Sequence, residues 1–241
     1  VLDANGNQVD YAGGDPIANL ALVRSIFFPQ PGVTLGVHKR DVLSQGVLEH
    51  NKFVENALWT RSRIVFVTIN LPGGSNNDNA IWYGAPAQSD AQTTEVSERT
   101  AADLRWLDAA FAVARANHAA GVVIGTQADM WDPENGAANL TQYEPLIQRI
   151  ASLTTSFGKS VLLFNGDSHV YRSDNPLSAG DPLNALHPGY DVQNFHRVVV
   201  HGSTFPLEWL RLSIDPNASG SGSNAFGPFS WQEQQLPLPA P

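Results

Sequence analysis

Four apolar, β-branched runs stand out along the chain: residues 63–70 (RIVFVTIN), 121–126 (GVVIGT), 160–165 (SVLLFN) and 197–201 (RVVVH). Short continuous runs of this kind, bounded by turn residues, predict buried strands. A fifth run, 208–214 (EWLRLSI), alternates polar and apolar positions and predicts a half-exposed strand.

Elsewhere the apolar period is that of a helix. Asp15-Pro16 joins a cap residue to Pro at the first helical position and predicts a helix to about Phe27. Ile17, Leu20, Val23 and Phe27 fall on one face, and Pro29 and Pro31 stop the helix. Thr100 to Asp103 resembles a capping box and opens a second helix that ends near His118. Its stripe is Leu104, Leu107, Phe111 and Ala114. Residues 141–156 predict a third helix, with Tyr143, Ile147, Ile150 and Ala151 inward and Gly158 just beyond its end.

Three stretches break these patterns. Residues 32–60 are mixed and fit no single element. Residues 71–95 read as a long loop, of a length that is either functional or mobile in a compact domain. From about Asn217 the chain becomes rich in Gly, Ser and Pro and reads as a surface strap or linker. Strands alternating with helices predict a layered α/β domain over residues 1–216, followed by a tail over 217–241. The last two strands have no helix between them, so a mixed sheet or a closing hairpin is expected.

Composition narrows the partners. Apolar residues are 42% of the 241, enough for a large core, while charged residues are only 15%. The formal net charge of −9, with no five-residue basic run, argues against nucleic acid or an anionic membrane surface. No apolar run approaches the roughly 18 residues of a membrane span. There is no cysteine, which removes disulfides, thiolate catalysis and Cys-ligated zinc. A metal would have to sit on His, Asp, Glu, Asn or Gln. The start, Val1 to Gly6, shows neither an initiator Met nor a signal-peptide pattern, and reads like a point inside a longer chain. These features together point to a secreted or cell-envelope setting.

Candidate chemistry lies where the buried strands end, because ligands of open α/β sheets bind beyond the carboxyl ends of the strands. The first strand is followed by Leu71-Pro72-Gly73-Gly74, the second by Gln127-Ala128-Asp129, the third by Gly166-Asp167-Ser168-His169 and the fourth by His201-Gly202. A carboxylate and an imidazole two positions apart on a Gly turn suit a metal. Trp82, Tyr83, Met130 and Trp131 are candidates to line the same crevice. Trp59, Trp106, Trp209 and Phe111 read as packing residues, and His118 as a cation at a helix C-terminus. Asn139-Leu140-Thr141 and Asn217-Ala218-Ser219 are glycosylation triplets.

At these residues the order strand, long loop, helix, strand, Gln, helix, strand and Gly-x-x-His resembles the C-terminal half of the calcineurin-like metallophosphoesterases. The resemblance spans about residues 16–215. It is closest to bacterial members in which a Gly-Asp-Asn-Glu-Trp element precedes a segment like Gly13–Phe28. It implies a layered α/β/β/α-type metallophosphoesterase fold with mixed sheets, whose N-terminal strands and metal motifs are missing from this chain. It implies divalent metal ions (Mn, Fe, Zn or Mg) and a phosphoester substrate. The missing N-terminal segment, or another chain, would be a contact partner.

Carried over residue by residue, His169 matches the last His of the family's Gly-His-x-His and would ligate the first metal. Asp167 stands where that motif's first His would be. Gln127 stands where the family has an isolated His after a strand. Asn56 is the counterpart offered for the Asn of Gly-Asn-His, with no catalytic His after it. Asn56 and His201 are the remaining catalytic candidates. The mechanism implied is two-metal hydrolysis of a phosphoester. Two other readings stand beside it. One is a Ser hydrolase with Ser168 as nucleophile, His187 or His196 as base and Asp181 or Asp191 as its orienter. The other is a non-catalytic binding or assembly protein on the same scaffold.

Overall fold

The apolar runs lie side by side in one sheet. The computed structural model describes residues 15–77 and 87–236. Its first seven strands are β1 (Leu43–Ser44), β2 (Ala57–Arg61), β3 (Ile64–Thr68), β4 (Gly121–Gly125), β5 (Ser160–Asn165), β6 (Arg172–Asp174) and β7 (Phe195–Val199). They form a mixed sheet in the order β1-β2-β3-β4-β5-β7-β6. The central strands β3, β4, β5 and β7 are mutually parallel, with Val67, Ile124, Leu163 and Arg197 in register. β1, β2 and β6 run antiparallel to their neighbours.

Alternation along these strands separates two cores. Val65, Val67, Val122, Ile124, Val161 and Leu163 face the helices α4 (Asp90–Ala116) and α5 (Glu144–Phe157), whose Trp106, Leu107, Phe111, Ile147 and Ile150 complete one core. Ile64, Val123, Leu162 and Val198 face the other way, onto a second sheet. That sheet is antiparallel, in the order β8-β11-β10-β9, built from β8 (Glu208–Ile214), β9 (Gly220–Gly222), β10 (Ala225–Gly227) and β11 (Phe229–Gln235). Phe229, Trp231, Leu210 and Leu212 fill the space between the sheets. The approach is close: a Cβ on Gly121 would lie 2.7 Å from the Phe229 ring. The layers are therefore helix, sheet, sheet.

Several expectations change. The stretch read as a strap or linker from Asn217 supplies β9, β10 and β11, so residues up to Gln235 belong to the second sheet. The fifth run, β8, pairs with β11 and does not join the first sheet. Residues 32–60 hold β1, the short α2 (Gln45–Leu48) and β2. The long helix α4 begins ten residues before the expected capping box, with the Ser89 hydroxyl accepting from the backbone N–H of Gln92. Gln92, Glu95 and Arg99 are buried there. Their polarity hides the helix from a hydrophobic pattern, yet each has a partner: Arg99 pairs with Glu95 at 3.0 Å and donates to the carbonyl of Asn76 at 2.9 Å, and Gln92 donates to the carbonyl of Asn77 at 3.2 Å.

The first helix, α1 (Pro16–Phe27), forms with its Asp15 cap as expected. Its face does not bury: Val23 and Phe27 are 46% and 51% exposed, and Leu22 and Ile26 are exposed as well. Trp106 and Phe111 are core residues, whereas Trp209 lies half exposed on the outer face of the second sheet. Among the described residues no helix is long and apolar enough to cross a membrane.

Candidate functional site

Because β3, β4, β5 and β7 are parallel neighbours, their carboxyl ends share one edge of the sheet. The loop after β3 arrives first. Pro72 leads into α3 (Gly73–Asn76), where Gly74, Ser75, Asn76 and then Asn77 all have φ between 55° and 63°. A left-handed turn of non-glycine residues is strained, of order 1–2 kcal/mol per residue, and needs outside support. Support comes from three sides. The Tyr143 hydroxyl donates to the Pro72 carbonyl at 3.1 Å, and Ser75 donates to the carbonyl of Asn139. Burial pushes the Tyr143 phenol up to about 12, so it remains a donor. Arg99 holds Asn76 from the helix side, and Asn76 donates to Thr100 at 3.0 Å.

The third support is the site itself. The Gly73 N–H donates to Oε1 of Gln127 at 2.5 Å, and Nε2 of the same amide donates to Oδ1 of Asp167 at 2.9 Å. The backbone N–H of Asp129 donates to Oδ2 of Asp167 at 3.2 Å. Thus the ends of β3, β4 and β5 are tied together through one carboxylate. Gly73 permits the approach, since a Cβ there would lie 2.7 Å from the Asp167 carboxyl carbon.

Asp167 and His169 both adopt left-handed φ, 76° and 57°. The turn splays them along the edge. Asp167 leans toward β4, while the His169 ring rests against Gly202 after β7, where an added Cβ would come within 2.8 Å of Cδ2. Gln127 and Asp167 are therefore brought into contact, and His169 occupies the neighbouring stretch of the same edge.

Beneath this edge lies a charged layer that the sequence pattern did not single out. Asp129 is fully buried. Its Oδ1 takes Arg197 at 2.5 Å, and its Oδ2 takes the Ser168 hydroxyl at 2.8 Å and Arg172 at 3.4 Å. Arg197 is also fully buried and grips Asp174 with two hydrogen bonds, of 2.8 and 2.7 Å. Burial works against the Arg197 charge, but Asp174 and Asp129 outweigh it and raise its pKa.

Ser168 is held by Asp129 and Arg172. The histidines offered as its base are engaged elsewhere: His187 bridges Glu144 and the Met130 carbonyl, and His196 meets Ser173 at 3.0 Å. Burial lowers the His196 pKa. Asp181 caps the turn at Leu183, and Asp191 accepts from the Ala179 N–H. No serine–histidine pair forms around Ser168 from these groups.

Asn56 is fully buried, and its amide is committed to a network behind β2. Nδ2 donates to Gln45 at 2.8 Å and to Asp103 at 2.7 Å, and Oδ1 accepts from the Asn70 N–H at 2.8 Å. Burial pushes Asp103 up to about 7, against the lowering effects of Asn56 and Arg99. Asn56 therefore anchors the exit of β3, where its amide is engaged by Gln45, Asp103 and Asn70. Met130 and Trp131 are fully buried in the helix-side core and line no crevice. Trp82 and Tyr83 lie outside the described residues.

Chemically, the edge suits a cation with oxygen and nitrogen ligands. Among the described residues both Asp167 oxygens accept from neutral donors, Gln127 and the Asp129 amide, and a carboxylate oxygen can accept more than one such contact. Among the described residues, the one grouping of three His or carboxylate ligands lies just past β7 instead: His201, Glu208 and Glu233. Compared with known proteins, the chain matches no family model, no curated protein and no solved structure.

Proposed function

We propose that the chain forms part of a metal-dependent phosphoester hydrolase of the calcineurin-like type, with Asp167 and His169 as metal ligands and Gln127 as the group that orients Asp167. The observation that carries the reading is the Gln127–Asp167 hydrogen bond at the shared carboxyl edge of β3, β4 and β5. Among the described residues this carboxylate is held by neutral donors and by no protein cation. The helix–sheet–sheet layering supports the reading as well, since it accounts for three of the four layers of such a fold. A bound divalent cation would supply Lewis acidity and a more acidic water. The chain's own part is to hold the carboxylate and imidazole on one turn and to bring the Gly73 backbone against the carboxylate.

The test is Mn²⁺ binding, followed by electron paramagnetic resonance, with hydrolysis of bis(p-nitrophenyl) phosphate measured in parallel. Asp167→Asn is expected to weaken Mn²⁺ binding at least tenfold, and His169→Ala to do the same. Equal Mn²⁺ binding by the wild type and both variants would overturn the reading. A non-catalytic assembly role is favoured by one observation, the exposed apolar stripe of α1. A protein that takes up neither Mn²⁺ nor Zn²⁺ at any level would decide for it.

A further inference from the structure

The inward stripe of β8 reads Ile214, Leu212, Leu210, Glu208, and that of β11 reads Phe229, Trp231, Glu233. Both change from apolar to carboxylate at the same end of the sandwich. Glu233 pairs across from Leu210, and Glu208 from Gln235, so the two carboxylates are diagonal neighbours on one face. Like charges so placed repel unless a cation lies between them. His201, two residues past β7, reaches this point, with Nδ1 2.6 Å from Oε1 of Glu208. One ligand atom from each of His201, Glu208 and Glu233 lies within 4.8 Å of the others.

One imidazole stands here against two carboxylates. Among the described residues Glu233 makes no ion pair. A pocket of about 150 Å³, walled by Tyr171, Phe205 and Trp209, opens onto His201 and Glu208.

We propose that His201, Glu208 and Glu233 form a binding site for one borderline divalent cation of the Zn²⁺ type, with the pocket at its open coordination position. One imidazole and two carboxylates suit Zn²⁺, and three protein ligands leave a fourth position for water or a small anion. Zinc–ligand distances of about 2.0–2.2 Å set tetrahedral ligand atoms roughly 3.4 Å apart, between the short His201–Glu208 contact and the outer limit of the group. The ion would pin the exit of β7 to the second sheet. The site shares no ligand with Asp167 and His169, although His169 rests on Gly202, next to His201.

Calorimetric titration of the whole chain with Zn²⁺, together with thermal unfolding, tests the proposal. Glu233 is exposed, so Glu233→Gln leaves the fold intact. The wild type is expected to bind one equivalent that Glu233→Gln and His201→Ala each weaken at least tenfold, with loss of the Zn²⁺-induced rise in Tm. His169→Ala is expected to keep both. Equal Zn²⁺ uptake by the wild type and Glu233→Gln overturns the site, as does no uptake by the wild type. Loss in His169→Ala with retention in Glu233→Gln also overturns it, and assigns the ion to the carboxyl edge.

Discussion

Gln127 and Asp167, forty positions apart, share a 2.9 Å hydrogen bond, and the same Gln127 amide accepts from Gly73 at 2.5 Å. One exposed side chain thus sets the spacing between three loops. Its neutral amide fixes the carboxylate without neutralising it.

Gly73→Ala probes that spacing. The added methyl would press on the Asp167 carboxylate, at 2.7 Å from its carboxyl carbon. Overpacking of this kind costs about 1–3 kcal/mol. Urea denaturation is expected to show a lower midpoint for Gly73→Ala, and Mn²⁺ binding is expected to weaken. Gly166→Ala is the control, because its nearest neighbour would be an ordinary contact at 3.9 Å, and its expected change is within about 0.5 kcal/mol. Matching midpoints for the two variants would show that Asp167 yields freely.

Arg197 carries the charged layer beneath the site. It is fully buried, with Asp129 at 2.5 Å and Asp174 at 2.7 Å. Arg197→Met removes the cation and leaves two carboxylates, one of them wholly buried. Breaking a buried pair from one side costs about 3–5 kcal/mol. Equilibrium unfolding at neutral pH reads that loss directly. A change under about 1 kcal/mol would mean that Arg172 takes over the role of Arg197.

Asp103 predicts a dependence on pH. Burial lifts its pKa from 3.8 to about 7 in the folded chain. The folded state therefore holds this proton more tightly than the unfolded state does. The associated stability is fully present below about pH 4 and is lost as pH rises toward 7. The change is on the order of 4 kcal/mol at most. Asp103→Asn has no proton to lose, so its stability relative to the wild type should climb between pH 4 and 7. Parallel stability profiles for the two proteins would refute the shift.

The strands, the order of the helices and the shared carboxyl edge were legible in the sequence, because each rests on local periodicity and on Gly-bounded apolar runs. The positions of β9, β10 and β11 were not. Their glycines look like linker, yet Gly227 packs so near β5 that a Cβ would lie 2.8 Å from that of Ser160. The first half of α4 was hidden for a different reason: its buried Gln92, Glu95 and Arg99 read as solvent-facing until their partners are known. Within the site, Asp167 and Gln127 were found from the strand ends. The centrality of Asp129 was not, since its two arginines lie 43 and 68 residues further on. No local pattern marks a carboxylate whose cations arrive from other strands. The lean of His169 toward β7 likewise follows from strand order, which long-range pairing decides.

The helix α4 is one rod fastened by two different materials. Its later turns rest on Trp106, Leu107 and Phe111, and its early turns on Glu95, Arg99 and their bonds to Asn76. Salt screens exposed pairs strongly, whereas Glu95 and Arg99 are buried and are screened far less. Since Asn76 belongs to the left-handed turn that begins at Gly73, loosening there would travel a few residues to the amide beneath Asp167. The lip of the candidate site is thereby moored to the helix by a contact that added salt hardly reaches.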